Sequence, residues 1–442
     1  MTVTYLKEAS INVFEDDIKT KKIASNMLKN IEKGGEDEVI RYSQQFDNHT
    51  SNIVLTKEQI QQASNFVSDQ LKSDIDFAIE RIKKFALEQR KSINEFEIEL
   101  SPGLITGQKL VPIETAGCYI PGGRYAHIAS AIMSIITAKV AGVSNIIAAS
   151  APHSDTNHTD WIEPHPAIVY TANKCGADII LTLGGVQAIA SLAHGYFTNK
   201  KANILVGPGN KFVAEAKRMF FGQVAIDMVA GPTEIAIIAD DDADSKIITQ
   251  DLVSQIEHGP ESPGWLITTS SRLAKEVLSL IDGYIQALPD DTPSRKAATM
   301  AWRDYGEVIV CDTVEEVVKI SDMLAAEHLE LHCNDNNIEY YFKTLKNYGS
   351  LFIGEHTTVT YGDKCSGPNH ILPTRKAASY TGGLSVHKFL KVVTYQKISK
   401  EANWEVGQAS ARISRYEGME GHARAADARI NKYFPNSTPK LK

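Results

Sequence analysis

The sequence predicts an α/β protein built on parallel sheet, and three observations carry that prediction. From about Glu114 onward, apolar runs of strand length alternate with amphipathic stretches of helical spacing. The runs are apolar throughout rather than at every second residue, as strands covered by helices on both faces require. Glycine-rich turns follow several of them, at Pro121-Gly122-Gly123, Gly184-Gly185 and Gly207-Pro208-Gly209-Asn210. Open α/β sheets place ligands at such strand ends and helix amino termini. Tight-turn packing is the other account of each.

Taken in order, the first hundred residues read as helices. Asp16 to Lys33 carries apolar residues at helical spacing and stops at Gly34-Gly35, and Ser68 to Arg90 repeats the pattern. The first strand set is Asn145–Ala149, Asp178–Leu183, Asn203–Val206 and Glu234–Ala239. Helices are expected among these runs at His127–Val143, His165–Cys175, Val186–His194 and Asn210–Phe221. A second alternating set comprises Trp265–Thr269, a helix to about Ala287, Glu307–Cys311, a helix through Met323, and Ser350–Gly354. After Pro373 the chain turns polar and helical, with Arg412, Arg415, Arg424 and Arg429 clustered. That tail reads either as packing on a partner subunit or as a solvated extension.

Length and composition bound the function. A chain of 442 residues is long enough for two or three domains. A net charge of −8 argues against a nucleic-acid or anionic-membrane surface. The five cysteines are odd in number and widely spaced, which suggests reduced thiols and no sulfur-based zinc site. Met1 to Ile23 is charged and lacks the apolar core of a signal peptide. The apolar region Ile128 to Ala149 is broken by Lys139 and Asn145, so no membrane span is expected and the protein is expected to be cytoplasmic.

The most informative motif is Asp251 to Pro260. Leu252, Val253 and Ile256 make a short amphipathic helix that Gly259 and Pro260 end. Gln255 and His258 stand three apart and project from one face of the last turn, where an amide oxygen and an imidazole can hold one cation. A histidine beside the negative end of a helix dipole is the plainer account. Gly207 and Gly209 do not make a dinucleotide fingerprint, because Phe212 stands where a third glycine would be. Ala326-Glu327-His328-Leu329 ends a helix and leads into Glu330-Leu331-His332, offering a water-activating carboxylate beside a proton-accepting imidazole. Asp363, in the polar loop Gly362 to His370, supplies another carboxylate; Glu417 and His422 add a carboxylate and an imidazole near the C-terminus. Each of these alone is more simply a cap or a surface group.

In order, these segments resemble the histidinol dehydrogenase family over nearly the whole chain, from about Asn26 to Tyr433. The blocks that carry the resemblance begin at Gly117, Gly184, Gly207, Asp227, Asp251, Glu327, Gly362 and Gly383. The resemblance implies two α/β domains of incomplete Rossmann type with a helical N-terminal segment and a C-terminal helical extension. Residues 1–113 with 234–375 would form the first domain, 114–233 the NAD-side domain, and 376–442 a dimer-forming extension. It also implies an intertwined homodimer, one zinc per site, and two successive NAD-dependent oxidations of a small alcohol to a carboxylate. Matched residue by residue, zinc would be held by Gln255, His258 and Asp363, with His422 donated by the other subunit. His328 would take the hydroxyl proton and Glu327 would activate the water that attacks the aldehyde. Tyr119, Gln187 and Asn210 match NAD-contacting positions, and Thr233 and Glu417 match substrate-side positions.

The chain departs from the usual pattern after Pro121-Gly122-Gly123. There it reads Arg124-Tyr125-Ala126-His127, just where a helix begins beside the implied substrate pocket. An arginine at a helix amino terminus is a strong anion site, and L-histidinol has no anion to use it. Pairing with a nearby carboxylate or a cofactor phosphate is the other account. With Thr233 where the family usually has Ser, and His387 where Asp is common, the chain resembles the branch that oxidises 2,3-dihydroxypropane-1-sulfonate to sulfolactate. Arg124 and His127 are therefore expected to contact an anionic substrate. L-Histidinol is the alternative substrate, and a binding protein that has lost turnover is the rival from another class.

Overall fold

The computed structural model describes residues 3–11, 18–49, 51–122, 125–153, 161, 163–290 and 292–436. Strand β1 (Thr4–Lys7) precedes three helices, α1 (Ile18–Asp47), α2 (Lys57–Ala63) and α3 (Asp69–Lys91). Two further strands follow, β2 (Phe96–Ser101) and β3 (Leu104–Pro112). The first alternating run is β4 (Thr115–Tyr119), α4 (Ile128–Ala141), β5 (Asn145–Ser150), α5 (Pro166–Cys175) and β6 (Ile179–Thr182). It continues as α6 (Gly185–His194), β7 (Ile204–Val206), α7 (Lys211–Phe220) and β8 (Ala225–Ile226). The second run opens with β9 (Ile235–Ala239), α8 (Ser245–Ile256), β10 (Gly264–Thr268), α9 (Ser271–Gln286) and α10 (Pro293–Tyr305). Next come β11 (Glu307–Val310), α11 (Val314–Leu324), β12 (His328–His332), α12 (Asp335–Thr344), β13 (Ser350–Ile353) and α13 (Val359–Lys364). Strand β14 (Leu390–Ile398) and helices α14 (Asn403–Tyr416) and α15 (Glu420–Tyr433) close the chain.

The first run folds into a five-stranded parallel sheet of order β6-β5-β4-β7-β8. The chain moves outward from β4 through β5 to β6, then returns to β4's other side with β7. A topological switch point therefore lies between β4 and β7. Helix α1 covers this sheet, burying Met27, Ile31 and Tyr42 in one core with Leu183, Ile189 and Val213. Apolar spacing fixes which face of a helix is buried but not which sheet it meets. That is why α1, expected with residues 234–375, lies on the first sheet instead. The stop expected at Gly34-Gly35 is a break: Gly35, at φ 61° and ψ −142°, interrupts a helix that resumes to Asp47.

The second sheet has the order β1-β11-β10-β9-β12-β13, parallel except for β1. Its central strand divides two cores. Ile235 and Ile237 of β9 face the cluster with Leu252, Val277 and Trp302, whereas Ala236 and Ile238 face Val317, Leu324 and Tyr341. Each isoleucine so buried stabilises the fold by roughly 1.5–3 kcal/mol. Here the two-sided apolar reading holds.

By contact clustering the chain forms two compact units, Met1–Arg90 with Ile113–Phe389, and Lys91–Pro112 with Leu390–Lys442. Both parallel sheets belong to the first unit. The second holds an antiparallel sheet of order β14-β3-β2 and the helix pair α14 and α15. The boundary expected at residue 376 thus moves to 390, and residues 91–112 join the C-terminal segment. Strand β14 was hidden in the sequence because most of its side chains are exposed on both faces, leaving no apolar run.

Candidate active site

Helix α11 ends at Leu324 because Ala325 adopts the left-handed conformation, at φ 50°. The chain then enters β12 at His328, so Glu327 and His328 stand at the start of a strand rather than at a helix end. Strand alternation sends Leu329 and Leu331 to the apolar core beneath α11 and α12. His328, Glu330 and His332 therefore share the opposite face, and all three are buried.

The residue before β9 binds both members of the catalytic candidate pair. Glu234 donates its backbone N–H to Glu327 Oε2 at 3.0 Å, and its carbonyl oxygen lies 3.0 Å from His328 Nδ1. His328 Nε2 makes no hydrogen bond and stands 3.5 Å from Asp363 Oδ1, near enough for charge attraction. Burial pushes the Glu327 carboxyl up to about 8, against the pull of His328. Burial opposes a charged imidazole at His328, but the Glu327 and Asp363 carboxylates outweigh it and hold the ring's proton up to about 9. Burial would likewise raise Asp363, yet the adjacent His328, with His370 and Lys364, keeps its carboxyl well below the usual range.

Helix α8 brings its carboxyl end to the same place. It ends at Ile256, and His258 follows in a tight turn, its N–H donating to Gln255 O at 3.2 Å. Gln255 Oε1 is buried and accepts no hydrogen bond. Burial pushes the His258 imidazole down to about 4, leaving a neutral nitrogen donor. His127, at the amino end of α4, has its ring 6.5 Å from that of His258, and burial pushes it down to about 3. His370 bridges the two sheet layers, with Nδ1 2.7 Å from Asp363 O and Nε2 2.9 Å from Ser130 Oγ. A cavity of about 320 Å³ opens beside His328, Asp363 and His370, large enough for a small alcohol. An orphaned amide oxygen, a neutral imidazole and a carboxylate are the donors zinc takes, so the residues present fit a zinc ion.

A second cluster lies deeper. Asp251, Glu330 and His332 have donor atoms within 4.8 Å of one another. Burial and the Glu330 charge push Asp251 up to about 6. Each carboxylate already accepts a hydrogen bond from the start of α13, and none of the three residues lines the cavity. Both carboxylates of this cluster are thus engaged, whereas Gln255 Oε1 accepts no hydrogen bond, so the Gln255 group is the better candidate for a metal. Placing Glu327 and His328 at a helix end hid the period-two row that His328 makes with Glu330 and His332. Glu234 and His370 carried no signal of their own.

The cofactor candidates gather at the switch point of the first sheet. Tyr119 closes β4, and its hydroxyl accepts the Gly185 N–H at 3.3 Å. Gly207 follows β7 at φ 121°, where an added Cβ would meet Tyr119 O at 2.0 Å. Asn210 caps α7, its Oδ1 accepting from Phe212 N and Val213 N. Gln187, buried on α6, donates to Asp47 Oδ2 at 3.0 Å. A fully buried pair braces the turn: Lys217 Nζ reaches Gly207 O and Asp227 Oδ1, and Asp227 Oδ2 accepts the Gly207 N–H. The missing third glycine therefore leaves a rigid turn, held by a lysine and an aspartate.

The remaining candidates divide. Thr233 immediately precedes Glu234 and is half-buried. Arg124 lies outside the described residues. Glu417 and His422 are exposed residues of the second unit, on the carboxyl cap of α14 and in the first turn of α15. Among the described residues no helix is long and apolar enough to cross a membrane.

Comparison with known proteins covers nearly the whole chain. A model of the family described as histidinol dehydrogenase matches residues 12–430. A histidinol dehydrogenase homolog from Pelagibacter ubique is 54% identical over 98% of this chain and 99% of its own length. A sulfopropanediol 3-dehydrogenase from Ruegeria pomeroyi is 51% identical over 99% of this chain and 98% of its own. The crystal structure of a histidinol dehydrogenase from Elizabethkingia anophelis superposes with a TM-score of 0.85 at 32% identity, covering 96% of this chain and 94% of that one.

Proposed function

This chain belongs to the histidinol dehydrogenase family, and we propose that it oxidises 2,3-dihydroxypropane-1-sulfonate through the aldehyde to 3-sulfolactate, reducing two NAD in turn. The family's enzymes are NAD- and zinc-dependent dehydrogenases. The observation that carries the substrate is the 51% identity to a sulfopropanediol 3-dehydrogenase, against 37% to the histidinol dehydrogenase of Lactiplantibacillus plantarum. Arg124, four residues before α4 begins in sequence, is the residue assigned to the sulfonate.

Gln255, His258 and Asp363 would hold zinc, with the partner subunit's His422 completing the set. Bound there, zinc supplies a Lewis acid for the alcohol oxygen and takes up the charge of Asp363. His328, in its neutral form, would accept the hydroxyl proton at Nε2 as hydride leaves to NAD. In its carboxylate form, which the raised pKa favours above about pH 8, Glu327 would take a proton from the water that adds to the aldehyde, and the second hydride would leave from the resulting hydrate. Loss of two hydrides to NAD and uptake of one water, with release of three protons, would thus turn the primary alcohol into a carboxylate. Tyr119, Gln187 and Asn210 would meet NAD, and His127 and Thr233 the substrate. The dimeric habit of the family supports a cytoplasmic homodimer formed through α14 and α15, with Glu417 reaching the partner's substrate.

Parallel assays with dihydroxypropanesulfonate and histidinol, counting NADH per alcohol consumed, test this reading. Two NADH per dihydroxypropanesulfonate are expected. Turnover of histidinol alone would sink the sulfonate assignment, and NAD and zinc binding without NADH from either alcohol would leave a binding homologue. Arg124→Ala should raise KM at least tenfold for the sulfonate; an unchanged KM removes Arg124 from the pocket.

A further inference from the structure

Helix α13, which carries Asp363, does not cap its own amino end. Thr358 occupies the cap position, yet its hydroxyl makes no bond to the helix. Thr358 Oγ1 donates instead to Asp251 Oδ1 at 2.9 Å, and Val359 N–H is taken by Glu330 Oε1 at 2.8 Å. Both carboxylates come from neighbouring elements and are buried, with 8% and 0% of their surface exposed. Their other oxygens turn toward His332 Nε2, Glu330 Oε2 at 3.2 Å and Asp251 Oδ2 at 3.7 Å.

The placement of these three residues repeats the placement of the active site. On α8, Asp251 stands one turn before Gln255, on the face that leads to His258. On β12, Glu330 and His332 continue the row that begins at His328. Elements α8 and β12, which carry Gln255 and His328, thus also carry Asp251 and Glu330, which grip α13. Gly362 lets α13 press onto β13, since a Cβ there would meet Phe352 Cε1 at 2.5 Å. A helix of six residues has little stability of its own. Its position is therefore set by what holds its ends.

We propose that Asp251, Glu330 and His332 are positioning residues that lock α13 against α8 and β12, and so fix the Asp363 carboxylate relative to Gln255, His258 and His328. The proposal rests on the reading of Asp363 as a zinc ligand.

The test uses the full-length protein loaded with zinc, and separately with Co²⁺ as a visible probe of metal geometry. Thr358→Val removes one grip, Glu330→Ala removes the other, and Glu330→Gln keeps an acceptor for Val359 N–H. Thr358→Val and Glu330→Ala should weaken zinc about 10–100-fold by chelator competition, as loss of groups that orient metal ligands does. They should also shift the Co²⁺ absorption bands and lower kcat at unchanged NAD affinity, and Glu330→Gln should recover most of the zinc affinity. Thr358→Val deletes a single hydroxyl, so it tests the idea even if Glu330→Ala fails to fold. Folded Thr358→Val with wild-type zinc affinity and cobalt spectrum overturns the proposal. So does a second metal equivalent per chain that disappears in Glu330→Ala, because the cluster would then be a metal site itself. Asp363→Asn separates the two readings: undiminished zinc binding there removes the ligand assignment beneath the clamp. Lost binding there with no change in Thr358→Val and Glu330→Ala overturns the clamp alone.

Discussion

In the sheet built on β4, the candidate cofactor groups gather where strands end: Tyr119 closes β4 and Gly207 follows β7. In the sheet built on β9, the candidate acid–base groups gather where strands begin: Glu234 precedes β9 and His328 opens β12. The first place is made of glycine turns and the amino ends of α6 and α7, which favour an anion such as a pyrophosphate. The second receives the carboxyl end of α8 with Gln255 and His258, which favours a cation. The two ends meet, since His127 and Ser130 at the start of α4 reach His258 and His370. One βαβ plan used from opposite ends can thus bring an anion-binding and a cation-binding place together.

If that division of labour is right, damage to one end should leave the other working. The largest effect is expected from His328→Asn, which should cut alcohol oxidation by about a thousandfold, within the range for loss of a general base. NAD affinity, measured by fluorescence titration, should not change; a parallel loss of both would break the separation. Gly207→Ala tests the opposite end. Its Cβ would strike Tyr119 O and its φ disfavours alanine, so a cost of ~3 kcal/mol is expected, read as a lower Tm and weakened NAD binding. Zinc content should stay at the wild-type level.

The next effect sharpens the charge contrast. In metal-free protein, Glu327 and His328 hold protons to about 8 and about 9 that the unfolded chain releases earlier. The folded state therefore binds more protons than the unfolded state in that window, and stability must fall as pH rises from 7 to 9. His127 and His258, pushed down, are neutral when folded, and their unfolded forms lose the last of their charge just above pH 7, so they oppose the trend only weakly at its start. Urea unfolding of chelator-treated protein should show a loss of ~1 kcal/mol per pH unit; a flat profile would contradict the charged site. The smallest effect belongs to Asn210→Ala, whose lost cap should cost about 1 kcal/mol and raise KM for NAD a few-fold, with kcat kept. A larger change in kcat than in KM would place Asn210 nearer the chemistry.

The same contrast decides what could be read from residues alone. Strands β5, β6 and β7 were legible as apolar runs, whereas β4 and β8 were not, and Glu234–Ala239, read with that set, is β9 of the other sheet. Strand β12 was not legible either, because its buried face is charged: His328, Glu330 and His332 mimic a solvent-facing row until their partners are known. The partners sit on α8 and α13, far away in sequence, and no local pattern announces them. Gln255 and His258 were legible as a pair of donors, but their meeting with Asp363 was implied only by resemblance to a family. Helix α1 was legible as amphipathic, and its place on the first sheet was not, since many apolar faces would accept it.

The contact between His328 Nδ1 and the carbonyl of Glu234 has a consequence for the ring's tautomer. A carbonyl can only accept, so Nδ1 must carry a proton, and the neutral ring keeps its lone pair on Nε2, the atom that faces Asp363. The choice is made by main chain. Replacing the side chain at position 234 leaves that carbonyl in place, so the basic nitrogen is protected against mutation there as long as β9 and β12 keep their register.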